Sequence, residues 1–163
     1  MLHDKKLIYA GAIVLGMNDA LVELTGTLSG IAFAFDKSIV VGLTGLIMGI
    51  AASLSMAGSA YLEAKENPSE LIKPLTYSLY TGISYILTTA ILVAPFFIFD
   101  SIIESLILMF ICAFIAIVSY NFYISVAKDL SFSKRVIQMS AITFGVALIS
   151  FAITAKPFPI SPA

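Results

Sequence analysis

The chain has 163 residues, of which 60% are hydrophobic and 12% are charged, and its mean hydropathy is +1.02. Soluble domains average about 45–50% apolar and about 25% charged residues, so this composition excludes an ordinary soluble globule and indicates an integral membrane protein. The formal net charge of −1 comes without a basic block, and we therefore expect no nucleic-acid partner.

Five apolar segments are long enough to cross a bilayer, since a membrane helix needs about 20 apolar residues. They lie at about 7–35, 39–62, 71–99, 102–127 and 136–155. The first is too long for the core of a signal peptide, which has about 7–15 residues. The connectors are too short for a soluble domain. We therefore expect an all-α, polytopic membrane protein, with residues 1–163 forming one five-helix transmembrane domain and with Pro95 kinking or ending the third span.

Basic residues predict the orientation of the chain. Seven of the nine lysines and arginines lie in the N-terminal tail and in the second and fourth connectors, and two lie on the opposite side. Cytoplasmic loops carry the excess of such residues, so the N-terminus is expected in the cytoplasm and the C-terminus outside. The sequence shows no organelle address, and a multi-pass protein of the cell membrane is the expectation.

The first span carries two carboxylates, Asp19 and Glu23, within the stretch "GMNDALVELTG". At 100° per residue both fall within an arc of roughly 80° together with four small residues, namely Ala12, Gly16, Gly26 and Gly30. Asp19 lies about 18 Å in from residue 7, near the middle of the membrane. Because a charge there is costly and nearly always faces the bundle interior or water, we expect this stripe to line an ion path or a subunit seam. A structural hydrogen-bonded pair, capped by Asn18 or Thr27, is the alternative.

The second span repeats the pattern. Its stripe by spacings of three and four is Gly42, Gly45, Gly49, Ala52, Met56, Ala60 and Glu63. Met56 interrupts a run of Gly, Ala and Ser, which favours a thioether that is exposed rather than buried in the core. The alternative is that Met56 fills the core, as methionine commonly does. Glu63 lies two turns nearer the cytoplasm, where it either attracts cations to a vestibule or is an ordinary charge at a helix end.

These residues limit which metals the path would accept. The single cysteine, Cys112, lies in an apolar run and excludes an intrachain disulfide, and the single histidine, His3, lies in the N-terminal tail. The usual zinc and copper constellations are thus absent from the sequence. Carboxylate oxygens together with a thioether sulfur suit a borderline ion such as iron(II) or manganese(II). The predicted metal ligands are Asp19, Glu23, Met56 and Glu63.

Two motifs carry a resemblance to a known family. "GMNDALV" at 16–22, followed by "LSG" at 28–30, resembles the first-helix signature of the vacuolar iron transporter family. "AASLSMAGSAYLEAK" at 51–65 resembles the second-helix signature. The third span fits loosely, and the last two fit only by hydropathy.

The resemblance implies a homodimer with its path at the two-fold seam between first helices. It also implies transport of iron(II), and often of manganese(II), out of the cytosol in exchange for protons. Asp19 matches the path aspartate of the family and Met56 its path methionine. No cofactor is implied, because the metal is the transported substrate. The partners are then the metal ion, protons, the lipid bilayer and a second copy of the chain.

The chain departs from the family pattern at three places. Ala60 stands where the family has a glutamate, whereas Glu23 and Glu63 stand where the family has hydroxyl residues. The long glutamate-rich insert of plant and fungal members is replaced by the connector "KENPSE". This form of the family thus lacks the cytosolic metal-binding insert, and metal capture is expected to depend on the path itself.

Several functions remain open on the sequence. A proton-coupled metal exporter would bind proton and metal alternately at its carboxylates, because metal binding displaces protons. A passive cation channel of the same architecture needs no such coupling, and a non-transporting scaffold subunit would use the carboxylates as structural contacts. An enzyme is the weakest interpretation, because the spans contain no histidine and the paired acids are four residues apart on one helix.

Overall fold

The structure, a computed structural model, describes residues 2–67, 72–128 and 131–154. Side chains are described for residues 8–67, 72–126 and 131–154. The regular secondary structure of these described residues is helical, with no strand among them. The helices are α1 (Leu2–Ile31), α2 (Ser38–Glu66), α3 (Pro74–Val93), α4 (Pro95–Ile98), α5 (Ile102–Lys128) and α6 (Phe132–Thr154).

Five helical segments are long and apolar enough to cross a membrane, which confirms the predicted fold class. They are Ile8–Ile31, Ser38–Glu66, Pro74–Ile98, Ile102–Val126 and Phe132–Thr154. The first ends four residues before its predicted limit because residues 32–34 form a turn, and the last begins four residues earlier than predicted. The predicted limits at residues 71 and 155 lie outside the described residues.

The third span is broken where proline predicts a break. Helix α3 ends at Val93, and the one-turn helix α4 begins at Pro95. Proline has no N–H to donate to the carbonyl four residues earlier, and its ring crowds that carbonyl. The predicted kink or helix end at Pro95 is therefore confirmed.

Helix α1 lies at the centre of the bundle and packs against α2, α3, α5 and α6. Close approach of the backbones depends on small residues. A Cβ at Gly16 would overlap the carbonyl oxygen of Thr81 on α3, and a Cβ at Gly49 on α2 would overlap the side chain of Thr89 on α3. At Gly16 and Gly49, the small residues of the two stripes therefore allow close packing between helices of the same chain.

The buried face of α3 is rich in hydroxyl groups, yet these groups are satisfied. Thr81, Thr88 and Thr89 each donate a hydrogen bond to a carbonyl oxygen one turn earlier in α3, over 2.8–3.1 Å. Ser78 instead donates to the carbonyl oxygen of Ala57 on α2 at 2.7 Å. A polar group in a membrane interior is costly unless it is hydrogen-bonded, so these bonds let a hydroxyl-rich helix pack in the core.

A second polar contact ties together the ends of α2, α4 and α5. The Ser38 and Ser105 hydroxyl oxygens lie 2.8 Å apart, and both residues are buried. The Ser38 hydroxyl lies 3.1 Å from the carbonyl oxygen of Phe96, and that of Ser105 lies 3.2 Å from the carbonyl oxygen of Pro95. These carbonyls belong to the turn after the proline break, and the serines fix its position in the bundle.

Candidate metal path

A groove of about 600 Å³ lies along α1 and is bordered by α2, α3 and α6. Its lining combines an apolar wall with four polar side chains. The lining residues are Gly11, Val14, Leu15, Asn18, Asp19, Val22, Glu63, Tyr77, Met139 and Ile142. Concave sites with a few convergent polar groups are where small ligands bind, and this groove contains a carboxylate near the middle of a membrane-spanning helix.

The groove brings together two of the four predicted ligands. Asp19 and Glu63 both line it, although they belong to different helices. Glu63 is three residues from the end of α2, or about 5 Å at 1.5 Å per residue, whereas Asp19 is about 16 Å into the span that begins at Ile8. The groove therefore joins the level of the helix ends to the middle of the bundle, with one carboxylate at each depth.

Glu23 is oriented differently from Asp19. The Tyr85 hydroxyl of α3 donates a hydrogen bond to Oε2 of Glu23 at 2.5 Å, and Tyr85 is fully buried. Glu23 does not line the groove. The two carboxylates are nevertheless close enough for their charges to repel each other. Asp19 and Glu23 thus have different surroundings although they belong to the same stripe on α1.

Met56 is half-buried and packs against the hydrophobic core of the bundle, and it does not line the groove beside Asp19. It lies about two turns deeper than Glu63 on α2. Ala60, which stands where the resembled family has a glutamate, is buried with 1% of its surface exposed. On α2, the carboxylate that lines the groove is therefore that of Glu63, one turn from Ala60.

A polar network at the α1–α5–α6 junction was not predicted from the sequence. The Asn18 side chain faces the hydroxyl of Tyr120 on α5, which lies 3.5 Å from Nη2 of Arg135 on α6. Nε of Arg135 donates to Oδ1 of the fully buried Asn121 at 3.3 Å. Asn121 on α5 thus bonds the neighbouring helix α6. The one signal in the sequence for polar contacts at this junction is the position of Asn18 directly before Asp19.

No group of three or more His, Cys, Asp or Glu side chains able to hold a metal ion occurs among the described residues of one chain. The groove supplies two carboxylates at different depths rather than a closed cage. Such an arrangement can attract a cation and pass it from one carboxylate to the next. It does not provide the several ligands that a tightly held structural metal would require.

A comparison with models of known protein families gives a match in the first half of the chain. The family model described as the VIT family matches residues 10–68. That segment contains residues 10–31 of α1 and the whole of α2, and with them Asp19, Glu23, Met56 and Glu63. Neither the search of curated proteins nor the search of solved structures produced a significant match.

Proposed function

We propose that the chain, whose match to the VIT family over residues 10–68 supports membership of the vacuolar iron transporters, exports iron(II) or manganese(II) from the cytosol in exchange for protons. The family is one of membrane transporters of metal ions, and the five apolar helices fit a multi-pass membrane protein. The metal, the coupling to protons and the direction of transport are the parts that we propose.

One observation carries the proposal most directly. Asp19 lies deep in a membrane-spanning helix and yet faces a groove, which it shares with Glu63 near the helix ends. An ionisable residue inside a membrane span is costly and marks an ion or proton pathway by default. We infer that Glu63 collects the cation at the cytoplasmic mouth and that Asp19 receives it at mid-membrane.

The other two predicted ligands have supporting roles in this proposal. Tyr85 donates to Oε2 of Glu23, and no hydrogen bond from the described residues reaches Oε1. That oxygen can serve a cation one turn beyond Asp19. Met56 lies on the α2 stripe between the depths of Glu63 and the helix centre, and its thioether would favour iron(II) over calcium or magnesium.

Exchange with protons follows from the chemistry of the same carboxylates. A carboxylate must lose its proton in order to bind a metal ion, so metal binding releases protons. If Asp19 is reprotonated from outside after the metal has left, inward proton movement is coupled to outward metal movement. This requires that the N-terminus lie in the cytoplasm, as the distribution of basic residues predicts.

We further propose that the working unit is a homodimer. One chain offers two carboxylates to the groove, whereas a divalent ion of this kind takes about six ligands. A two-fold axis beside α1 would bring two copies of Asp19 and two of Glu63 to one path. Cross-linking in native membranes, with a cysteine placed on α1 in a Cys112→Ser background, tests this pairing.

The decisive experiment is iron(II) flux into pH-clamped proteoliposomes, with wild type compared with Asp19→Asn. Manganese(II) and calcium(II) serve as competitors, and Asp100→Asn, which removes an exposed carboxylate at the opposite end of the bundle, is the matched control. Saturable, pH-dependent flux that Asp19→Asn abolishes and Asp100→Asn retains is the expected result.

The other outcomes would identify a different function. Normal exchange by the Asp19→Asn protein would contradict a path through this residue. Flux that neither saturates nor responds to a pH gradient would indicate a passive channel. A folded wild-type protein that shows no flux with any of the three ions would indicate a scaffold subunit.

A further inference from the structure

The amide oxygen of Asn18 is buried and has no hydrogen-bond partner in the structure. Asn18 directly precedes Asp19 on α1, and both residues line the same groove. A buried polar atom left without a partner costs about 1–3 kcal/mol, and most such atoms in native proteins are satisfied by protein or ordered water. An unpartnered oxygen beside a carboxylate is therefore a position where a cation can supply what the protein does not.

The surroundings of Asn18 favour its role as an oxygen ligand. The side chain of Asn18 lies near the hydroxyl of Tyr120 on α5. Tyr120 is buried, and its hydroxyl lies 3.5 Å from Nη2 of Arg135. Oδ1 of Asn18 is thus a buried amide oxygen without a partner at the α1–α5–α6 junction.

The chemistry of the amide group suits the proposed cargo. Asparagine carbonyl oxygens are regular ligands of hard divalent cations, and they bind without having to lose a proton. A neutral ligand next to Asp19 would add coordination without adding a second negative charge at a position where Asp19 and Glu23 already repel each other. It would also not compete for the exchanged proton.

We propose that Oδ1 of Asn18 is a ligand of the transported divalent cation, paired with Asp19 in the groove. This inference rests on the proposed transport function and extends it to a residue that the sequence alone suggests only as a cap for the carboxylates. The class of ligand is a hard or borderline divalent cation, with manganese(II) as the practical probe.

The first test compares Asn18→Leu with Asn18→Asp in manganese(II) flux assays on proteoliposomes. Leucine removes the ligand oxygen at similar volume, whereas aspartate keeps an oxygen at the same place but loses the NH₂ donor. We expect Asn18→Leu to raise KM about tenfold or more, since loss even of groups that only support a metal ligand costs about 10–100-fold in affinity. Asn18→Asp is expected to keep KM near or below that of wild type.

The opposite pattern would overturn the proposal. If the amide mattered only as a donor to Tyr120, both Asn18 variants would lower thermal stability and neither would change KM selectively. Tyr120→Phe, which removes the hydroxyl but leaves the amide in place, measures that structural contribution. Wild-type flux together with an unchanged KM in a folded Asn18→Leu protein would refute the ligand role while leaving the transport function intact.

A second test does not depend on tolerance of leucine. In a Cys112→Ser background, Asn18→Cys places a thiolate at the proposed ligand position, and thiolates select softer metals. We expect the ratio of cadmium(II) to manganese(II) affinity to rise at least about tenfold, measured by metal-dependent thermal stabilisation. Met17→Cys, one residue away and packed against the core, is the matched control. Equal ratios in the two cysteine variants would contradict the proposal, and absence of flux from wild type would instead remove the transport function on which it rests.

Discussion

The hydroxyl of Tyr85 on α3 donates a hydrogen bond of 2.5 Å to Oε2 of Glu23 on α1. This bond joins α1 and α3 at a fully buried phenol, and Glu23 does not line the groove that Asp19 lines. Two carboxylates one turn apart thus have different partners. Asp19 is available to a ligand, whereas one oxygen of Glu23 is committed to a buried phenol.

Tyr85→Phe is expected to destabilise the bundle. It removes the donor from Glu23 without a large change in volume, and side-chain hydrogen bonds between membrane helices contribute about 0.6 kcal/mol on average and up to about 1.7 kcal/mol. Thermal unfolding in detergent should therefore shift downward by a few degrees. Tyr80→Phe, on the exposed side of the same helix, is the control. Equal stability of the two variants would mean that the Tyr85–Glu23 bond contributes nothing measurable.

Gly16→Ala is expected to destabilise the protein much more than Gly11→Ala. A Cβ at Gly16 would overlap the backbone carbonyl of Thr81, and backbone cannot move aside as a flexible side chain can, whereas a Cβ at Gly11 meets no atom within 4 Å. Overpacking typically costs about 1–3 kcal/mol. Thermal unfolding of the two variants checks this difference, and equal melting temperatures would mean that α1 and α3 are not as close as the structure has them.

Glu63→Gln is expected to raise the KM for metal with little change in kcat. In the proposed path, Glu63 raises the local cation concentration at the mouth but does not take part in the step at Asp19. Because exposed charges act through a screened field, the effect should shrink as ionic strength rises from about 0.01 M to about 0.15 M.

Glu66→Gln is the matched control for that prediction. Glu66 lies one turn from Glu63 at the end of α2, is exposed, and does not line the groove. Its substitution should leave KM close to wild type in the same flux assay. Equal shifts in the two variants would reduce the role of Glu63 to general surface charge.

Met56→Leu is expected to change ion preference more than turnover. Leucine has a similar volume and preserves packing against the core, so folding should be retained. Loss of the thioether should weaken iron(II) relative to calcium(II), because sulfur favours the softer ion. Competition of calcium with iron flux measures this preference. An unchanged preference would identify Met56 as a packing residue only.

Arg135→Met is expected to destabilise the α5–α6 contact. The substitution keeps an unbranched side chain but leaves Oδ1 of the fully buried Asn121 without its donor, which costs about 1–3 kcal/mol. Lys134→Met removes a neighbouring exposed charge and should have a small effect on thermal unfolding. A larger loss of stability in Lys134→Met would contradict the network.

The sequence by itself determined the membrane class, the five spans and the break at Pro95, because these depend on hydropathy and on the chemistry of proline within one segment. It also identified Asp19 as the residue to examine, since a carboxylate at that depth is costly wherever the neighbouring helices lie. The resemblance over the first two spans agrees with the family match at residues 10–68.

Only the tertiary structure decided how the stripe on α1 is used. An arc of roughly 80° does not face a single neighbour, so Gly16 and Glu23 contact α3 while Asp19 borders the groove. That Asp19 and Glu63 line one groove, and that Arg135 meets Tyr120 and Asn121, depends on how α2, α5 and α6 are placed around α1. Helical periodicity gives the direction of a side chain on its own helix, and the packing of the other helices determines what that side chain meets.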